Sequence, residues 1–355
     1  MTIADQITRL NNAKAAIKES IENKGVSVSD SAKLDEYPAL IDRIQVGSGG
    51  GSGYENPGFY EILTSGGTNY NRLFYYKTIS DVSFIESLIT SKVIDMSYTF
   101  SNFTLSSKLD LSNWSVSNVT NMVSMFNSAN VPELDVSGWN IGKVTNIQSM
   151  FENCKVTTIA GLESWDTSYI TSFDCLFKGC KANILNISNW NISKVTKLSG
   201  TFDGCSELNV LDISNWDTSK ITDFGSVYKF ISGCSNLTEV VGTIDLSSCT
   251  SGLAYSSTSY YNFKSCSKLE SVYLKNIYKN STVKNEAKWS INLKDTIVKD
   301  ECLIYIINEL PDLINDKGLT STTNIKLTLP PTNTLTQEQV QVAIDKGWNV
   351  VNTTY

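Results

Sequence analysis

Five tryptophans fall in step through the middle of this chain: Trp114, Trp139, Trp165, Trp190 and Trp216, spaced 25, 26, 25 and 26 residues apart. A phenylalanine stands twelve residues after each of the first four, at Phe126, Phe151, Phe177 and Phe202, and Phe100 extends that column one unit earlier. A fixed period of this length is the mark of a solenoid, in which no single unit closes a core and stacking supplies it. The repeated aromatics are therefore expected in the core rather than at a reactive site.

The remaining columns give each unit its local structure. Apolar pairs lie five and three residues before each Trp: Leu109/Leu111, Leu134/Val136, Ala160/Leu162, Leu185/Ile187 and Leu211/Ile213. Such alternation predicts a short strand with one buried face, paired with its neighbours at about 4.8 Å. Val119, Val144, Ile170, Val195 and Ile221, each followed by Thr, predict a second extended segment. A short helical turn is expected around "SMFENC". Cys154, Cys180 and Cys205 sit three after the column Phe, Cys266 three after Phe263, and Cys234 in the equivalent place. A ladder of small buried thiols is expected, with cross-turn disulfides the alternative.

Composition narrows the chemistry. The 355 residues carry a net charge of −7 and no histidine. Without imidazole the commonest general base and metal ligand are missing. No C-x-x-C pair occurs, so zinc is not expected, nor is any cofactor. No basic cluster suits nucleic acid, and no run of about 18 apolar residues suits membrane insertion. The start of the chain reads as neither a signal peptide nor a lipid-anchor site.

The columns "LDLSNWSVSNVTNMVSMF", "LDVSGWNIGKVTNIQSMFENC" and "LDISNWDTSKITDF" resemble the BspA-like leucine-rich repeats, including the variant common in mycoplasma surface lipoproteins. The resemblance covers roughly residues 80–275. It implies an α/β solenoid of leucine-rich-repeat type and a role in adhesion or ligand binding at a surface, with no enzymatic activity.

Two places are candidate binding residues. After Trp216 the spacing loosens: Tyr228 is expected in the Phe place, and "SSCTSGLAYSSTSYYNFKSC" forms an insertion. Insertions in solenoids map to loops on one face, and Tyr and Ser suit binding loops. Tyr255, Tyr260 and Tyr261 are the candidates there, a loop covering the end of the core being the plainer reading. The second place is the outward position between the paired apolar residues, read as Asp110, Asp135, Gly161, Asn186 and Asp212, with Asp245 expected to continue it. Neighbouring like charges on a ladder repel, and a cation or hydrogen-bonding ligand would relieve them. Solubility, or bonds to nearby turn backbone, is the alternative.

The ends differ from the middle. Residues 1–46 are expected to be a helical anchor or oligomerisation segment, with Ile3, Ile7, Leu10, Ile17 and Ile21 on one seam and Lys14 among them. A Gly/Ser linker follows at 47–53. An N-terminal cap is expected over 54–79, the solenoid over 80–290 and a C-terminal capping unit over 291–355. In that unit "DECLIYIINELPDLI" reads as an amphipathic helix, and Thr336 with Gln339 as a capping box.

"NAKAAIKESIENKGV" followed by "KLDEYPALIDRI" is similar to an N-terminal segment of many tailed-bacteriophage virion proteins. That similarity implies a virion structural protein of fibre, tail or head-decoration type. It would be assembled in the host cytoplasm, joined to other virion proteins and to its own copies through these helices, and bind a host-surface glycan or protein. A bacterial cell-surface or secreted adhesin of the same repeat family is the alternative, and an enzyme such as a depolymerase the third class.

Overall fold

The structure, a computed structural model, describes residues 67–79, 82–86, 88–225, 229–250, 262–277, 279, 290–317, 319 and 325–351, with Lys14, Ala15, Lys18, Glu19 and Glu22. Those last five have helical backbone. The expected seam residues Ile3, Ile7, Leu10, Ile17 and Ile21 lie outside the described residues, as do Tyr255, Tyr260 and Tyr261.

The repeat winds into a parallel β-solenoid. Its first ladder joins β1 (Leu109–Asp110), β2 (Glu133–Asp135) and β3 (Thr158–Ala160), then β4 (Val210–Asp212), β5 (Glu239–Asp245) and β6 (Ser271–Lys275), every pair parallel. A second ladder of parallel bridges runs Asn69–Asp95–Asn121–Asn146, then Ser172–Lys197–Asp223; a third links Thr78, Thr104 and Asn130. Each corner has a local cause. Asp95, Asn121 and Asn146 accept a backbone N–H two residues on through Oδ1, as do Asn140, Asp166, Asn191 and Asp217 at the next corner. Such Asx turns bend the chain at low cost. The Thr column tightens the stack: Thr145, Thr222 and Thr250 each aim both the backbone N–H and Oγ1 at the preceding Thr carbonyl.

The aromatic columns fill the interior. Phe74, Phe100, Phe126, Phe151, Phe177 and Phe202 stack with neighbouring centroids 5.2 to 5.9 Å apart and planes within 13°. Those separations exceed the ladder spacing of about 4.8 Å, so the rings are offset, the favoured arrangement. Trp139, Trp165, Trp190 and Trp216 form a parallel second stack. Each buried Phe or Trp adds roughly 1.5–3 kcal/mol or more of apolar transfer. Phe74 and Asn69 carry the pattern toward the N-terminus, so residues 67–79, within the expected cap, form a coil of the solenoid.

Several expectations need correction. The fold is a β-solenoid, not an α/β one, and helix is sparse within the coils. The expected helical turn at "SMFENC" is a run of β-turns. Ile147 O accepts from Met150 N, and Phe151 O from Cys154 N, with Ser149 and Asn153 at positive φ in the third positions. The N–H groups of Ser149, Phe151 and Asn153 instead reach carbonyls of the next coil.

In the third unit the buried strand residue is Ile159, paired with Leu134, and the outward residue is Ala160, not Gly161. The extra residue of that 26-residue step is taken up at Gly161, whose φ of +99° begins a 3₁₀ turn at Leu162–Ser164. A Cβ there would overlap the backbone of Ser137. Tyr228, expected in the Phe place, lies outside the described residues; the Phe202 N–H bonded to Phe230 O and the Gly204 N–H bonded to Ser232 O put the buried Ile231 in that place, with Phe230 beside it, edge-on to Phe202 at 5.5 Å. Asp212 pairs with Val241, so Asp245 does not continue the acidic column.

The C-terminal end closes the core. β7 (Ile291–Asn292), β8 (Lys326–Thr328) and β9 (Asn349–Val351) form a parallel sheet. A short helix, α1 (Ser83–Glu86), lies in the first coil, and two longer ones cross the terminal unit: α2 (Asp300–Glu309) and α3 (Gln337–Asp345). Cys302, Leu303, Ile306 and Ile307 of α2 are buried. Thr336 and Gln339 form the expected capping box. No helix among the described residues is long and apolar enough to cross a membrane.

Candidate functional site

Because the solenoid sends its apolar columns inward, function is left to the outer faces. The first ladder presents two outward columns. One runs Lys108, Glu133, Thr158, Ile184, Val210, Glu239; the other Asp110, Asp135, Ala160, Asn186, Asp212, Val241. The pairings of β1 to β5 fix their register, and the Asn209 N–H bonded to the Asn183 carbonyl brings the two central coils together.

The two ends of this face are charged and its middle is not. At the N-terminal side Lys108 Nζ lies 3.3 Å from Asp110 Oδ2 and 2.8 Å from Asp135 Oδ2. The ladder's carboxylates thus have a cation from their own chain between them. Their other oxygens turn the local corner: Asp110 Oδ1 accepts from the N–H and hydroxyl of Ser112, Asp135 Oδ1 from those of Ser137. The Ser112 hydroxyl and then Lys108 hold the Asp110 carboxyl below its ordinary range. For Asp135 burial pushes upward, but bonds from Lys108 and Ser137 outweigh it and the net shift is down. Bonding to Asp135 holds the Lys108 ammonium above its ordinary value. Asp212 accepts a local bond from Ser214 N at 3.0 Å.

Between these ends lies an aliphatic window. Ile184 is 61% exposed and Val210 41%, in adjacent coils and in one column, with Thr158 and Ala160 beside them and the Asn186 amide in the neighbouring column. Scattered exposed aliphatics are ordinary; a contiguous pair rimmed by polar groups is a candidate contact surface. Sequence reasoning missed it because, of the two outward columns, it followed only the one between the paired apolar residues. The signal was in the residue just before each buried strand position, which reads Lys, Glu, Thr, Ile, Val, Glu.

The cysteines offer no reactive centre. All eight thiols are free and buried. Cys205 Sγ and Cys234 Sγ each lie 3.0 Å from the preceding coil's Phe carbonyl, at Phe177 and Phe202. Burial pushes the Cys180 thiol up to about 11 and those of Cys154, Cys205 and Cys234 higher than ordinary thiols; for Cys234 a bond with Cys266 is the larger cause. Among the described residues, no group of three or more Cys, Asp and Glu side chains is placed to hold a metal.

These features define a β-solenoid repeat protein with an open, part-aliphatic outer face. The chain belongs to the DUF285 family, described as "Mycoplasma protein of unknown function", whose model matches residues 68–158 and 155–267, more than half of the 355 residues. The match supports the BspA-like, mycoplasma-type resemblance of the repeat; the comparisons do not bear on the bacteriophage-type N-terminal segment. No curated protein gives a significant match. Among solved structures, an internalin (inlF) from Listeria monocytogenes str. 4b F2365 aligns at 12% identity over 79% of this chain and 86% of that one. Its TM-score is 0.18, and so loose a superposition carries no argument.

Proposed function

We propose that this chain is a non-enzymatic adhesin-type binding protein, secreted or displayed at a bacterial surface. It engages a host-surface protein through the outer face of the first ladder, with Ile184 and Val210 at the centre. Asp110, Asp135 and Asp212 form the charged rim, and Tyr255, Tyr260 and Tyr261 are a further contact loop. The observation that carries this reading is the exposed Ile184–Val210 pair, in a column that is polar in the neighbouring coils. Interface energy concentrates in a few central anchors surrounded by polar contacts, and this layout fits that pattern. The test is binding of labelled full-length protein to host cells, comparing wild type with Ile184→Lys and Val210→Glu. Each change is expected to weaken binding by tenfold or more with unfolding unchanged. Unaltered cell binding by the double variant refutes the assignment.

A second reading is favoured by one observation, the sequence of residues 1–46. On it the same repeat domain is carried on a virion, anchored and oligomerised through Ile3, Ile7, Leu10, Ile17 and Ile21. Solution mass of the full chain against a chain starting at Tyr54 tests it. An oligomer that becomes a monomer on truncation supports an assembly role for that segment; two monomers remove the self-association part of the reading.

A further inference from the structure

Two columns of left-handed residues run along the turn side of the solenoid. The first reads Arg72, Tyr98, Ser124, Ser149, Cys175, Gly200; the second Tyr76, Asn102, Ser128, Asn153, Gly179, Gly204, Gly233. Each marks a tight turn at positive φ, where Gly and Asn sit easily and bulky residues are outliers. Most coils comply with Ser, Asn or Gly. At the N-terminal end the same positions carry Arg72 (φ 59°), Tyr98 (φ 56°) and Tyr76 (φ 57°). Backbone strain at large side chains persists where something else selects it, and it gathers at ligand sites.

All three outliers meet at one spot. The Arg72 guanidinium carbon lies 5.2 Å from the Tyr98 ring centroid and 5.6 Å from that of Tyr75. Tyr75 stands edge-on to Tyr76 at 4.4 Å, and Tyr76 is 64% exposed. Arg72 is itself exposed and makes no ion pair among the described residues. It is also the sole arginine after Arg43; every later cation in the sequence is lysine. Arginine differs from lysine in stacking on aromatic rings while presenting a planar fork that matches a carboxylate. Here the rings hold the guanidinium and leave its fork unspent, on a protein of net charge −7.

We propose that Arg72, Tyr75, Tyr76 and Tyr98 form a binding site for a carboxylated sugar, a uronate or sialate unit of a surface glycan. The Arg72 fork takes the carboxylate, an exposed tyrosine ring packs against the C–H face of the sugar, and the phenol hydroxyls bond its hydroxyls. An acidic peptide would satisfy the guanidinium but has no rigid C–H face to match the tyrosines. The site lies apart from Ile184 and Val210, so it stands or falls independently of the function proposed above.

The repeat supplies substitutions that separate binding from folding. Tyr76→Asn and Tyr98→Ser install the residue types the same columns carry at Asn102 and Ser124, so both relieve strain and are expected to raise the unfolding midpoint. Arg72→Lys keeps the charge and loses the fork. Full-length protein is titrated calorimetrically with tetragalacturonate, 3′-sialyllactose, uncharged lactose and a short polyglutamate. One acidic sugar is expected to bind at least tenfold more tightly than lactose and polyglutamate. Tyr76→Asn, Tyr98→Ser and Arg72→Lys should each weaken that binding tenfold or more. Binding of neither acidic sugar, stronger binding of polyglutamate, or wild-type affinity in the three variants overturns the proposal.

Discussion

Trp165 offers a sharp test of how the solenoid core is held. The indole Nε1 of Trp139 donates to Leu111 O at 2.8 Å, that of Trp190 to Leu162 O at 2.8 Å, and that of Trp216 to Ile187 O at 3.0 Å. Trp165 Nε1 is buried in the same stack and has no partner. Its coil is the one displaced by the extra residue at Gly161. Consider Trp165→Phe beside Trp190→Phe. The volume and stacking lost are alike, because both rings sit inside the same column. The donor differs. At Trp190 a hydrogen bond with a net worth of about 0.5–1.5 kcal/mol disappears, while Leu162 O keeps the bond from Trp165 N. At Trp165 an unsatisfied buried donor is removed, which relieves about 1–3 kcal/mol. Trp165→Phe should therefore be the less destabilising by about 1.5–4.5 kcal/mol. Equilibrium urea unfolding measures this, with equal m-values required so that the midpoints compare stability alone. A Trp165→Phe loss equal to or larger than that of Trp190→Phe refutes the reasoning.

Three further outcomes follow from the geometry. Gly161→Ala forces a Cβ into Ser137 at a positive φ, and should cost about 2 kcal/mol or more. Gly142→Ala, at a position of ordinary φ that meets only side-chain atoms, should stay near neutral in the same urea series. Lys108→Met should change stability in a pH-dependent way. The Asp110 and Asp135 carboxyls lie below their ordinary range in the fold, so their contribution is present above about pH 4 and lost as pH falls through the folded values. Acid-unfolding curves of wild type and variant should differ above pH 4 and converge below; a gap that persists at low pH contradicts the ion-pair account. Finally, burial pushes the Cys175 and Cys180 thiols up to about 11, so Ellman's reagent should label the native protein slowly at pH 8. Cys175, the most exposed of the cysteines in the core, should react first, and immediate labelling of several thiols would show that the column is open.

What could be read in the sequence, and what could not, divides along physical lines. The Trp, Phe and Cys columns were legible because the same inward position recurs in coil after coil, and packing leaves it little choice. Alignment on Trp could not say where within a 26-residue step the extra residue falls. Ala160 therefore stood in for Ile159 until the left-handed Gly161 fixed the register. The insertion after Trp216 hid in the same way that an aliphatic residue, Ile231, takes the place the aromatics hold in the earlier coils. The turn at "SMFENC" reads as helical in the sequence because its apolar spacing at Met150 and Phe151 suits one helical turn. Only the cross-coil bonds of Ser149, Phe151 and Asn153 show that its backbone is spent on neighbours. The acidic column was found, but Lys108, the cation lying between Asp110 and Asp135, precedes Asp110 by two residues and was not connected with them.

The same division says where to look for function in a chain like this. Each coil must place apolar side chains inward, polar ones outward and small ones at its left-handed turns; stability is a sum over coils and their interfaces. A residue that obeys its column is explained by the column, however unusual its type, which is why a row of five tryptophans need bind nothing. A residue that disobeys costs the coil something and gains the core nothing. Ile184 and Val210 face outward where neighbouring coils are polar, and Tyr76, Tyr98 and Arg72 crowd turns that other coils leave to the smaller Ser, Asn, Cys and Gly. Replacing either set by its column's common residue should leave the solenoid as stable or more so. If both replacements instead lower the unfolding midpoint, these residues serve the fold, and departure from the repeat loses its value as a guide to binding.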